Sequence, residues 1–230
     1  MTTLGRLLQI HRYPVKSLGG ERLREAGIET RGLAGDRAWA VVADDGRFGS
    51  GKTSRRFTRI DGLLGCTAVY DGATPVLTLP DGAVVRADDP AAGELLSAAL
   101  GRTVTLRPEA GVSHFDAAPV HLCTIGAAAA LGRTAGIGAI DPRRLRPNLV
   151  VDGDADRDLT GARLRVGARV ELVVTEPTER CVMVNAAHQE LPADGRVLRA
   201  VSDHGDLCLG VYADVARPGM VRVGDAVEVL

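Results

Sequence analysis

Four cysteines, at positions 66, 123, 181 and 208, are the softest nucleophiles and metal ligands in the chain. No two of them form a Cys-x-x-Cys pair. That spacing argues against a zinc ribbon, a thioredoxin-type pair or a cysteine-ligated iron–sulfur cluster. Taken singly, each cysteine reads first as a buried apolar thiol. The five histidines, at 11, 114, 121, 188 and 204, contain no His-x-x-x-His pair, so spacing gives no support to a histidine metal centre. His121 alternates with Val120 and Leu122, which places its ring on the opposite face of a strand from those neighbours. A nucleophilic pairing of Cys181 with His188 or His204 lacks a sequence-local oxyanion device.

Two further motifs suggest ligands. Gly46-Arg47-Phe48-Gly49-Ser50-Gly51-Lys52-Thr53 has the G-x-x-x-x-G-K-[ST] spacing of a phosphate-cradling loop. Residues 54–60 are then too short, and too soon followed by Gly62, to form the long helix that motif requires. No apolar strand ending in Asp supplies the second Mg²⁺ contact. The stretch reads as a glycine-rich hairpin or loop, with a non-hydrolytic anion contact as the alternative. Asp152-Gly153-Asp154-Ala155-Asp156-Arg157-Asp158 begins like a calcium loop, but Arg157 stands at the sharp-turn glycine and Arg163 at the twelfth position. It reads as an exposed acidic turn.

The elements that must position these groups are mostly short strands. β-Branched runs at 7–13, 38–43, 76–79, 84–87, 104–107, 120–123, 148–152, 170–175, 180–184, 207–213 and 221–230 are punctuated by Asp-Gly turns. Helices are expected at 90–100, at 124–131 with Thr124 as cap and Gly132 as stop, and at 195–203. The fold class is therefore mainly β, with a domain break near 88–90. The 230 residues carry a net charge of -1, and aromatics make up 3%, which weakens a nucleic-acid reading. Charge is uneven: residues 1–62 hold 12 Lys plus Arg against 7 acids, a surplus suited to an anion. No apolar run reaches the roughly 20 residues of a membrane span, and the first residues lack a signal-peptide pattern. The expectation is a cytoplasmic protein with neither membrane nor nucleic acid as partner.

Five segments stand out in order: Tyr13-Pro14-Val15-Lys16-Ser17; Gly32-Leu33-Ala34-Gly35-Asp36-Arg37; Arg146-Pro147-Asn148; Glu179-Arg180-Cys181; and a closing run from Val211 to Asp225 that contains Tyr212-Ala213-Asp214-Val215-Ala216-Arg217-Pro218-Gly219. Together they resemble the MOSC family, the domain shared by molybdenum-cofactor sulfurases and the mitochondrial amidoxime-reducing component. The resemblance spans nearly the whole chain. It implies an N-terminal MOSC-associated β-barrel over residues 3–88, packed on a C-terminal MOSC β-barrel over 90–230 with a few short helices.

The resemblance further implies that Cys181 is the catalytic thiolate and metal ligand, binding molybdenum held by a pterin dithiolene. A soft sulfur ligand suits that metal. Lys16, Arg37, Arg146 and Asn148 would lie near the phosphate and pterin of the molybdenum cofactor (Mo-molybdopterin). Arg56 would join them, with Arg55 as the alternative at that motif position. Arg180 and Cys181, as neighbours in a strand, would point oppositely. The implied activity is reduction of a small N-hydroxylated substrate with electrons from a separate donor protein. Two other roles remain open: a sulfur or cofactor carrier using Cys181, and a non-catalytic barrel of the same shape. Related reductases carry an acidic residue and a tryptophan shortly after the Arg-Pro-Asn segment; here Asp158-Leu159-Thr160 occupies that region without the tryptophan.

Overall fold

The first strand, Thr2–Arg12, shows how alternation and its interruption build the larger sheet. Leu7 and Ile10 both point inward although they are three residues apart. A register shift between Leu7 and Gln9, opposite Val151 and Val150, reconciles the two. The computed structural model describes residues 2–154, 159–188 and 190–230. Asp158 and most of the calcium-like run lie outside those residues.

Seven strands close into a barrel. In order around the ring they are Thr2–Arg12, Leu149–Val151, Val120–Thr124, Cys208–Arg217, Val170–Glu179, Arg163–Val166 and Ala226–Val229, which returns to the first. Closure removes the exposed edges that an open sheet would present. All neighbours in the ring are antiparallel except Val120–Thr124 with Leu149–Val151, and helix Ile125–Thr134 lies in that parallel crossover. The interior is filled by branched aliphatics, among them Leu7, Leu122, Leu149, Leu164, Leu172, Val211 and Val227.

The smaller half centres on strand Trp39–Ala43, flanked by Val15–Lys16, Phe48–Ser50 and Val104–Pro108. Phe57–Arg59 pairs in parallel with Phe48–Ser50. A three-stranded sheet, Thr67–Asp71, Thr74–Thr78 and Val84–Arg86, and helix Ala92–Leu100 cover its core of Val15, Val41, Leu77 and Leu96. The halves interlock. Thr2–Arg12 is a stave of the large barrel, Glu25–Glu29 pairs with Gly219–Arg222, and Val104–Pro108 joins the smaller sheet. Among the described residues, no helix is long and apolar enough to cross a membrane.

Two local expectations are corrected. Helix Ile125–Thr134 begins at Thr124, whose hydroxyl accepts the Ala127 amide at 3.3 Å, but it runs through Gly132. Gly132 is there for close packing, because a Cβ would collide with the Gly138 carbonyl. Residues 180–184 do not continue as a strand. Pairing ends at Glu179, opposite Cys208, after register shifts on either side of Pro177. Val182–Asn185 then forms a 3-10 turn, in which the Val184 amide donates to the Cys181 carbonyl at 3.1 Å. The β-branched pattern is overridden by tertiary contacts.

Candidate functional site

The separated sequence segments meet at Tyr13. Its backbone N–H donates to Asp36 Oδ1 at 2.7 Å, and its hydroxyl donates to the Pro147 carbonyl at 3.3 Å. The Asp36 carboxylate, fully buried, also pairs with the Arg37 guanidinium. Arg37 and Arg146 both lie over the Tyr13 ring, at 4.8 Å and 4.3 Å from its centroid. Arg37 in turn donates to the Arg146 carbonyl at 3.3 Å. Three motifs distant in sequence thereby build one wall.

That wall lines a narrow cavity of about 80 Å³, which Cys181, Arg180, His121 and Tyr212 enclose from the barrel side. The cavity widens into an outer hollow of about 220 Å³, with Lys52, Asp116, Glu179, Arg180, Cys181 and Tyr212 common to both. Cys181 is half-buried and reaches solvent through this mouth. Because the strand has stopped, Arg180 and Cys181 face the same space, contrary to the alternation expected of them. Arg180 is anchored by the bond from Nη2 to the Leu145 carbonyl at 2.6 Å.

The backbone here is strained. Among the described residues, five that are not glycine have positive φ, and three of them line the cavity: Ser17 at 66°, Arg37 at 48° and Arg146 at 55°. Left-handed backbone costs such residues about 1–2 kcal/mol each. Strain of this kind persists where surrounding structure enforces it, and it gathers at binding sites. Gly210, at φ 86°, gives the barrel wall its close approach, since a Cβ there would sit 2.5 Å from His121 Nε2.

Electrostatically, the cavity is a cationic enclosure with unused donors. Arg37, Lys52, Arg144, Arg146 and Arg180 line it, against Asp116 and Glu179. Both terminal nitrogens of Arg146, Nε of Arg180 and Nε2 of His121 are buried without a hydrogen-bond partner. Such orphaned groups cost stability unless a ligand completes them. Burial lowers the Arg146 guanidinium to about 10, lowers that of Arg180, and holds His121 well below its ordinary value. For Arg37, burial is outweighed by Asp36 and Asp116, which raise it. Burial raises the Tyr212 phenol, so its hydroxyl keeps its proton.

The remaining sequence candidates are placed differently. Asn148 borders the cavity, but its amide ties strands together, accepting from the His121 N–H at 3.1 Å and donating to the His11 carbonyl at 3.3 Å. Lys16 is one layer behind, 2% exposed, with Nζ 2.8 Å from Asp116 Oδ1 and 4.6 Å from the Phe57 ring centroid. Burial lowers the Lys16 ammonium. Burial pushes Asp116 up, but Lys16 more than offsets this and leaves it at about 2. Arg56 turns outward, donating to the carbonyls of Ser113 at 2.8 Å and Phe115 at 3.4 Å. Arg180, Arg144, His121, Tyr212 and Lys52 also line the cavity, although none was among the expected cofactor contacts. Arg180 and Tyr212 lie within the family segments, and Lys52 within the phosphate-loop spacing, whose loop leads into no helix.

The residues present fit an anionic pterin cofactor carrying its own metal ligands. Among the described residues, no group of three or more His, Cys, Asp or Glu is placed to hold a metal ion. A single accessible thiol can add only one ligand, which suits a metal already held by other sulfurs. The orphaned guanidinium nitrogens supply planar donors for phosphate or a pterin edge.

Residues 102–228 match the MOSC domain, and residues 4–86 match the MOSC N-terminal beta barrel domain. Among curated proteins, none matches the chain. The crystal structure of the YuaD protein from Bacillus subtilis is similar in fold, with a TM-score of 0.57 at 16% identity, covering 98% of this chain and 94% of that one. The crystal structure of YiiM from Geobacillus stearothermophilus overlaps 49% of this chain and 54% of its own, at 16% identity and a TM-score of 0.38.

Proposed function

The chain belongs to the MOSC domain family, some of whose members bind the molybdenum cofactor, and from that premise we propose that its cleft holds this cofactor and serves an oxidoreductase acting on small N-hydroxylated compounds. The observation that carries the reading is the Arg146 guanidinium, buried with both ends unpaired in the cavity that also receives the Cys181 thiol. A buried unpaired cation is stabilised by an anion, and a thiol that opens into the same cavity is a suitable ligand for a soft metal.

When bound, the cofactor supplies the metal and the two-electron redox chemistry. Cys181 would supply the protein's sulfur ligand to the metal. The unpaired N–H groups of Arg146 and Arg180 would hold its anionic portion, while Arg37 fixes the Arg146 backbone. His121, neutral because it is buried, and Tyr212, protonated for the same reason, offer directional hydrogen bonds without adding charge. The open mouth beside Cys181 leaves room for a small substrate and for electron delivery by a separate donor protein.

Metal and pterin analysis of the wild type and of Cys181→Ala tests the proposal, in protein made by a host with an intact cofactor pathway. The wild type is expected to retain molybdenum and pterin and to reduce hydroxylamine-type compounds with a chemical or protein donor. Cys181→Ala is expected to lose the metal or change its coordination. Equal metal content and identical molybdenum spectra in both proteins would remove Cys181 as ligand. Sulfane sulfur on Cys181, without metal or turnover, would favour the carrier role instead.

A further inference from the structure

A second hollow, about 450 Å³, lies across Met183 from the cationic cavity. Met183 lines both spaces. From the smaller half, Ile60, Leu63 and Leu64 form the floor. From the barrel half, the turn that follows Cys181 supplies Val182 and Ala187 at the rim, Val182 being 48% exposed. Val182 and Met183 directly follow Cys181 in sequence, and Met183 is the residue through which the hollow borders the cavity that Cys181 lines.

The polar groups around the hollow are already engaged. Its two charged residues, Arg59 and Asp61, pair with each other at 2.8 Å. Asn185 accepts the Leu198 amide at 2.8 Å. An occupant therefore meets mostly aliphatic carbon, and the charges at the rim are already paired with each other. The dividing wall is the unbranched side chain of Met183, a residue type that adapts its rotamers readily. Met183 lies across Gly51, where a Cβ would come within 2.5 Å of its Cγ, and its sulfur receives the Ser50 hydroxyl at 3.7 Å.

We propose that this hollow is a substrate subsite that seats the aliphatic or aryl body of a small molecule while its polar, N-hydroxylated head lies at Cys181. The claim rests on the reading of the Cys181 cleft as the reaction centre, and it adds a substrate class: compounds with a compact apolar tail. A small-molecule tail fits better than a protein surface, because the hollow is concave and of small-ligand volume. A stable protein partner would need roughly 800 Å² of contact on each side.

The test is calorimetric titration of cofactor-loaded protein, without electron donor, using straight-chain hydroxamic acids from acetohydroxamic to octanohydroxamic acid. Affinity is expected to rise about three- to fourfold per methylene until the hollow is filled. Ala187→Phe, on the exposed rim, fills the hollow from outside. It should flatten that dependence and leave acetohydroxamic acid unchanged, and Ala186→Leu serves the same purpose should Ala187→Phe misfold. A wild type that shows no chain-length dependence, or that binds no member of the series, overturns the proposal. So does a slope that persists unchanged in the filled variants. The chain-length slope and its loss in the filled variants report on the hollow, whereas the metal content of Cys181→Ala decides the underlying reading of the cleft.

Discussion

Burying the Arg146 guanidinium with both terminal nitrogens unpaired has opposite consequences for stability and for binding. The backbone at φ 55° adds to the cost. Arg146→Gly removes the charge and relaxes the left-handed strain, each worth on the order of 1 kcal/mol or more. The lost stacking on Tyr13 works against this gain. The unfolding free energy of the cofactor-free protein is expected to match or exceed the wild type in urea titration, while inorganic pyrophosphate binds at least tenfold more weakly. A loss above about 2 kcal/mol would instead make the guanidinium a structural stay. Asp116 presents the reverse case. Its carboxylate borders the anion cavity and neutralises Lys16. In Asp116→Asn, pyrophosphate should bind about three- to tenfold more tightly and the fold should lose roughly 1–2 kcal/mol, because Lys16 is left buried without its partner. Unchanged pyrophosphate affinity in isothermal titration would exclude Asp116 as an internal competitor.

At the scale of elements, the turn after Cys181 decides which way the thiol points. Arg144 holds that turn from outside, donating to the carbonyls of Val184 at 3.5 Å, Ala186 at 3.3 Å and Pro192 at 2.6 Å. Arg144→Ala leaves those carbonyls to water and should cost about 1–3 kcal/mol. Its particular signature is faster amide hydrogen exchange over residues 182–186, with the barrel strands unchanged. Uniform acceleration across the barrel would show that Arg144 acts on global stability and not on the turn. A strand through 180–184 would have sent Arg180 and Cys181 to opposite faces. The bulged end of Val170–Glu179 sends them to one.

Across the whole molecule, several histidines are buried neutral. Burial, reinforced by nearby arginines, lowers His11 and His188 to about 4. The unfolded chain binds those protons near 6.5. Between pH 6.5 and 4 the unfolded state therefore carries more protons, so the stabilisation is complete above 6.5 and is lost as pH falls toward 4. Each histidine contributes up to about 3 kcal/mol by this linkage. Urea midpoints measured from pH 7.5 to 4 should fall steeply in that window, and His11→Gln with His188→Gln should flatten the profile. An equally steep profile in the double variant would assign the acid sensitivity to other groups.

The mainly β class, the helix that starts at Thr124 and the family segments were all legible in the sequence, because turn chemistry, capping and alternation are local. The segments that carry Tyr13, Asp36, Arg37 and Arg146 stand out together in the amino-acid sequence, yet their meeting around one aromatic ring is a product of closing the barrel. The direction of Arg180 and the retreat of Lys16 behind Asp116 were hidden for the same reason. So was the outward turn of Arg56. Each depends on where a strand stops or which distant carbonyl accepts a bond. Local alternation sets the elements. Which thiol, guanidinium and imidazole share an enclosed space is decided only when strands far apart in the chain pair around a closed ring, because burial and the orphaning of donors are properties of the assembled cavity.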